Sequence, residues 1–198
     1  MYTLFTITAV CIEISCLLWT TCSDLRLHTP LLIITVGLIT LLTGILIVWG
    51  RRQQWNFTHS FLIIFILALL FRLTLLLGPV TLTTDISRYL WEGHIQHHGM
   101  NPYTVAPDDP TLESLRTPTF DNIDHSHLSA IYPPAAQLFL KFITGLNHTL
   151  FTMKAAISLC EMGVLVLLFF WLRKLKHPWW SYLIYAWNPL ILIELSLS

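Results

Sequence analysis

Five apolar runs, each close to twenty residues long, constrain this chain more than any other feature. They cover about 2–21, 30–49, 60–80, 150–172 and 178–198. A helix of about 20 residues rises roughly 30 Å, enough to cross the hydrocarbon of a bilayer. It also satisfies its own backbone N–H and C=O groups, as lipid requires. A soluble fold is excluded by composition, since 55% of the 198 residues are hydrophobic and only 11% are charged. Soluble domains carry about a quarter. The expected fold class is an all-α integral membrane protein, a multi-span helical bundle with a large outer loop containing juxtamembrane helices.

Eleven basic and eleven acidic residues cancel, so no nucleic-acid partner is expected. Cys11, Cys16, Cys22 and Cys160 lie in or beside apolar runs without zinc spacing and read as packing residues. The first run is no cleavable signal peptide, because no basic residue precedes it and no small-residue cleavage site follows. The last reaches Ser198 with no cap or basic flank, which suggests an N-terminal fragment of a longer protein.

The stretch YPPAAQLFLKFITGL, 132–146, is short for a span and carries Gln137 and Lys141. Its apolar positions 138, 139, 142, 143 and 146 leave Gln137, Lys141 and Asn147 on another face, a pattern that suits an interfacial helix. Arg51 and Arg52 mark one cytoplasmic loop and Arg173, Lys174 and Lys176 another. These loops share one side only if 132–146 lies flat. Three transmembrane helices are therefore expected in 1–80, an outer catalytic loop in 81–149, and two further transmembrane helices in 150–198. The amino terminus is then cytoplasmic and the loop outside, with a bacterial inner membrane as the expected location.

The polar residues concentrate in that loop. TTDISRYLWEGHIQHHGMNPY, 83–103, reads as a short helix capped by Thr84, with Asp85 in its first turn. Asp85, Arg88, Tyr89, Glu92 and Gln96 recur at helical spacing on one face. Gly99 ends the helix and Asn101-Pro102 turns the chain. Asp85 and Glu92 stand about 10.5 Å apart along the axis, too far to act as adjacent carboxylates. The ordinary reading of Asp85 and Arg88 is dipole compensation and a surface ion pair.

Asp109 or Thr111 would cap a helix after APDDP, and Tyr103 and Tyr132 would flank a pocket. His94, with His97 or His98, has helical ligand spacing but lies in no HExxH-type motif. The histidines read as surface groups. No transition-metal site is expected; a divalent cation, Mg or Mn, beside a phosphate is the one cofactor left open. Glu13, Arg72, Lys154, Glu161 and Glu194 interrupt apolar runs, and each should face the bundle or a wet cavity, with Lys154 and Arg72 able to snorkel.

DISRYLWEGHIQHHGMNPY, APDDP, IYPPAAQ and WNPLILIE, in that order, resemble the C-type membrane glycosyltransferases (GT-C), foremost the mannosyltransferases that use a polyprenyl-phosphate sugar. The resemblance covers about 80–198. It implies a polyprenyl-phosphate sugar donor, a glycan or lipid-linked acceptor, and a lipid bilayer as partners. It also implies inverting transfer of a hexose, with Asp85 as the base on the acceptor hydroxyl and Arg88 as a candidate for the phosphate. Expected substrate contacts are Arg88, Tyr89, Trp91, Glu92, Gln96, Asn101, Tyr103, Tyr132 and Gln137, with Asp108, Asp109 and Glu194 as secondary candidates. This chain departs from the simpler family members in having two additional spans before the one leading into the loop. The competing readings are a transporter or ion-handling protein using Glu13, Arg72 and Glu161 as a relay, and a non-catalytic fragment of the same fold.

Overall fold

The structure is a computed structural model that describes residues 2–52, 57–80 and 82–196. These form helices α1 (Tyr2–Thr21), α2 (Thr29–Gly50), α3 (Phe57–Leu76), α4 (Asp85–His97), α5 (Pro134–Leu146), α6 (Leu150–Lys174), α7 (Leu183–Ala186) and α8 (Pro189–Ser196), with no strand among the described residues. Four helical stretches are long and apolar enough to cross a membrane: Thr3–Thr21, Leu25–Gly50, Thr58–Leu76 and Leu150–Lys174.

The run 178–198, expected as a fifth span, is instead broken. A 3-10 helix at Trp179–Tyr182 leads into α7, and α8 starts afresh at Pro189. Pro189 has no N–H to continue a helix, and it biases Asn188 away from helical backbone. The Asn188 side chain then accepts from Leu190 N at 3.0 Å, capping the new start.

The chain divides into two compact units, one formed by residues up to Leu82 and from Ile157 onward, the other by Thr83–Ala156. The first contains α1–α3, most of α6, α7 and α8. Its core gathers Ile12, Trp19, Phe71, Tyr182 and Trp187, all without exposure. Three of its large buried side chains find partners for their polar tips, as burial favours. Trp19 donates to Thr35 Oγ1 at 3.0 Å, Tyr182 to Leu165 O at 3.2 Å, and Trp187 to Ile64 O at 3.3 Å. The outward faces stay apolar, with Ile7, Val10, Ile14 and Leu17 of α1 and Ile33, Ile34 and Leu41 of α2 exposed. A surface that greasy belongs in lipid.

Arg72 and Lys154, expected to face the bundle or a wet cavity and able to snorkel, are buried. Arg72 pairs with Glu161 through Nε and, at 2.7 Å, through Nη2, and its Nη1 donates to Ala68 O and Ala186 O. Glu13 accepts from the Thr74 hydroxyl at 2.6 Å. The four cysteines are free thiols.

The second unit is built on the packing of α4 against α5. Gly93 makes it possible: a Cβ there would lie 2.5 Å from Thr144 Oγ1 and 2.6 Å from Leu140 O. Across α4 from this contact, Trp91 and Ile95 form a small core with Leu112 and Ile123. Gly99, at φ +78, takes the left-handed conformation that ends α4. With 13 residues, α5 rises only about 20 Å, short of a bilayer crossing.

On α5 the apolar positions 138, 142 and 146 lie on a different face from Gln137, as expected, while Ile143 joins Gln137 inside. Gln137, Leu140, Ile143 and Thr144 are buried, whereas Leu138, Phe142 and Leu146 are exposed. Gln137 turns inward because partners for its amide stand on α4.

Candidate active site

Asp85 opens α4 as an exposed residue. Its carboxylate makes no hydrogen bond or ion pair to any described residue; its backbone N–H donates to Thr83 Oγ1 at 3.2 Å. Thr84 occupies the expected cap position but makes no side-chain cap bond, because its hydroxyl donates to Asp124 instead. That bond ties the returning loop to the start of α4, next to Asp85.

One turn further, Tyr89 packs edge-to-face on Tyr132, ring centroids 5.2 Å apart. Burial raises the Tyr132 phenol above its ordinary range, and Tyr89, Asp85 and Glu92 push the same way. Tyr103 donates its own hydroxyl to Tyr132 O at 2.6 Å, bracing the backbone at this corner.

Arg88 and Glu92 are buried rather than displayed. Arg88 Nε donates to Glu92 Oε1 at 2.8 Å, Nη1 to His125 O at 3.3 Å, and Nη2 to Leu128 O at 2.6 Å and Ser129 O at 2.9 Å. A guanidinium so occupied clamps the 125–129 segment onto α4, so its donors are not turned to a phosphate. His125 itself sits at φ 53, a left-handed conformation uncommon outside glycine. Glu92 Oε2 accepts from Gln137 Nε2, and Gln137 Oε1 accepts from Gln96 Nε2 at 2.9 Å. Trp91, expected at the substrate, has no exposure and packs on Phe120 at 5.2 Å. It supports α4 from behind.

A groove of about 410 Å³ opens at the other end of α4, walled by Gln96, Asn101, Tyr103, Gln137, Leu138 and Lys141 among others. Asn101 holds its turn by accepting from Tyr103 N at 3.0 Å. The expected site residues thus fall into three groups. Asp85, Tyr89 and Tyr132 share one corner; Gln96, Asn101, Tyr103 and Gln137 share the groove; Arg88, Glu92 and Trp91 lie inside the unit.

Asp109 caps the 3-10 helix Pro110–Leu115, accepting from Thr111 N at 2.9 Å and Thr111 Oγ1 at 2.6 Å. Those bonds lower its pKa. Asp108 is exposed, and its backbone bonds Ser126 O and the Arg116 side chain. Glu194 is exposed on α8, in the first unit.

His97 and His98 are exposed, as expected of surface groups, and His94 is half-buried. His94 stacks near His98 and His148, centroids 4.8 and 5.0 Å away, and His97 Nε2 lies 2.9 Å from Lys141 O. Burial first, then His148 and His98, lowers the His94 pKa. Among the described residues no three His, Cys, Asp or Glu side chains gather as a metal-binding group. Gly93, Asp124 and Lys141 are the residues whose importance the sequence reading missed. A glycine beside Glu92 inside an otherwise helical pattern was the available signal for the first.

What the fold defines is a class, an all-helical membrane protein with four helices able to span a bilayer. Compared with protein-family models, curated proteins and solved structures, the chain matches none.

Proposed function

We propose that this chain carries the outer-surface site of a glycosyltransferase, moving a hexose, mannose foremost, from a polyprenyl-phosphate donor to an acceptor hydroxyl. The observation that carries the reading is the Asp85 carboxylate, exposed, free of any described partner, and beside the Tyr89–Tyr132 pair. A general base must meet its proton within hydrogen-bond reach, near 3 Å, and a carboxylate already engaged elsewhere could not. Asp85 takes the acceptor proton as the acceptor oxygen attacks the anomeric carbon. Polyprenyl phosphate leaves from the opposite face, inverting that centre. The tyrosine faces suit a sugar ring.

This reading places 81–149 outside a bacterial inner membrane and the amino terminus inside. The ion-relay alternative gains nothing from Arg72 and Glu161, which close on each other as a buried pair.

The test is transfer from polyprenyl-phosphate [3H]mannose in membranes expressing the full chain. Asp85→Asn should cut transfer by roughly 10²–10⁴-fold at unchanged expression. Transfer at the wild-type rate removes Asp85 from the mechanism.

A further inference from the structure

Two features of α5 meet at the groove. Leu138, Phe142 and Leu146 are 66, 63 and 65% exposed, and their i, i+4, i+8 spacing makes one continuous apolar stripe. Lys141 flanks that stripe and is the sole charged residue on the groove wall. Its ammonium has no hydrogen bond or ion pair among the described residues. Inside the groove, Gln96 Oε1 and Asn101 Nδ2 are likewise unengaged, and Tyr103 presents part of its ring. A cation, one open amide acceptor (Gln96 Oε1), one open amide donor (Asn101 Nδ2) and an aromatic face lie at one end of a greasy track. That combination suits a hydroxylated phosphate headgroup on a long chain.

Distance decides which lipid this is. Gln96 follows Asp85 by eleven residues, about 16 Å of helix rise. A donor whose phosphate sat on Lys141 could not hold the sugar attached to that same phosphate at Asp85. An acceptor can, if several sugar units separate its phosphate from the hydroxyl that reacts. We propose that the groove seats the phosphate end of a lipid-linked glycan acceptor. Lys141 holds the phosphate, Gln96, Asn101 and Tyr103 hold the first sugar, and the lipid chain lies along Leu138, Phe142 and Leu146. The glycan then runs back along α4 toward Asp85. Inorganic phosphate would leave the stripe and most of the groove unfilled. This assignment rests on the sugar-transfer reading for the identity of the acceptor, while the lipid-phosphate seat has its own test.

The full chain is placed in phosphatidylcholine nanodiscs with a polyprenyl phosphate bearing a photoreactive group beside its phosphate. Mass spectrometry should map the label to α5. Lys141→Gln should reduce that label about ten-fold, the scale of one charged hydrogen bond. Lys141→Arg should restore it, and Lys174→Gln should leave it unchanged. Labelling of α5 indifferent to Lys141→Gln, or competed equally by phosphatidylglycerol or inorganic phosphate, overturns the seat. In the transfer assay, Lys141→Gln should raise the acceptor KM about ten-fold with the donor KM unchanged. A raised donor KM overturns the assignment to the acceptor. Normal transfer by Asp85→Asn, with Lys141-dependent labelling intact, defeats the transfer reading and the acceptor identity but leaves the lipid seat standing.

Discussion

Glu92 and Gln137 join α4 to α5 through a carboxylate that is already in use: Oε2 accepts the Gln137 amide while Oε1 holds Arg88. Both residues are nearly without exposure. The pair therefore fixes two helices and, through Arg88, the 125–129 segment around the Asp85 corner. Removing one member strands the others away from water. Glu92→Leu should cost about 3–5 kcal/mol, because it leaves the Arg88 charge buried and unpaired. Arg88→Met with Glu92→Leu should recover part of that loss. Thermal unfolding of the detergent-solubilised chain reads both, and equal midpoints for wild type and Glu92→Leu contradict the account.

The approach at Gly93 makes a second prediction. A methyl group there meets Leu140 O, a backbone atom, besides the Thr144 hydroxyl. Gly93→Ala should destabilise the second unit by about 1–3 kcal/mol. Thr144→Ala should give little rescue, since the carbonyl stays where it is. Hydrogen exchange across α5 is the measurement, with faster exchange expected in both variants.

Arg72 and Glu161 test whether charge inside the first unit conducts or merely locks. Arg72→Ala should cost about 3–5 kcal/mol, again by orphaning a buried charge. Arg72→Met with Glu161→Leu should fold and leave sugar transfer near the wild-type rate. Loss of transfer in a double variant as stable as wild type would give the pair a functional role beyond packing.

His94 makes stability depend on pH. Burial, then His148 and His98, holds its pKa below the ordinary 6.5, and His97 adds to the repulsion. As pH falls from about 6.5 toward the depressed value, the unfolded chain takes up a proton that the native state refuses. The contribution is thus fully present above that window and lost on acidification through it. Melting midpoints at pH 7.5 and pH 5 should differ less in His94→Gln than in wild type. An unchanged difference would point to other groups.

Much of the architecture was legible in the sequence, and the reasons are local. Apolar length, broken only by single ionisable residues, marked α1, α2, α3 and α6. Spacing from Asp85 to Gln96, closed by Gly99, located α4 to within a residue or two. The paired prolines and the limited length of 132–146 marked α5 as too short to span. The break at Asn188-Pro189 was also written there, in a proline at the middle of the final run, but hydropathy alone reads through it. The site was less legible. Polar residues on one helical face say that something polar lies opposite, not whether it is water, a ligand or the protein itself.

That choice belonged to the tertiary structure. Arg88 found three backbone carbonyls some forty residues away, Glu92 found Gln137, and Trp91 found Phe120, so all three turned inward. Asp85 found no such partner and stayed exposed. On α5 the apolar stripe faced out and the Gln137 amide faced in. By itself the sequence determined that these segments are helices and that α1, α2, α3 and α6 are long enough to cross lipid. It could not determine their facing, because beside a bilayer an apolar side chain is as stable against lipid as against the core. Burial of polar groups then goes to whichever surface offers hydrogen-bond partners, and only the folded chain brings those together.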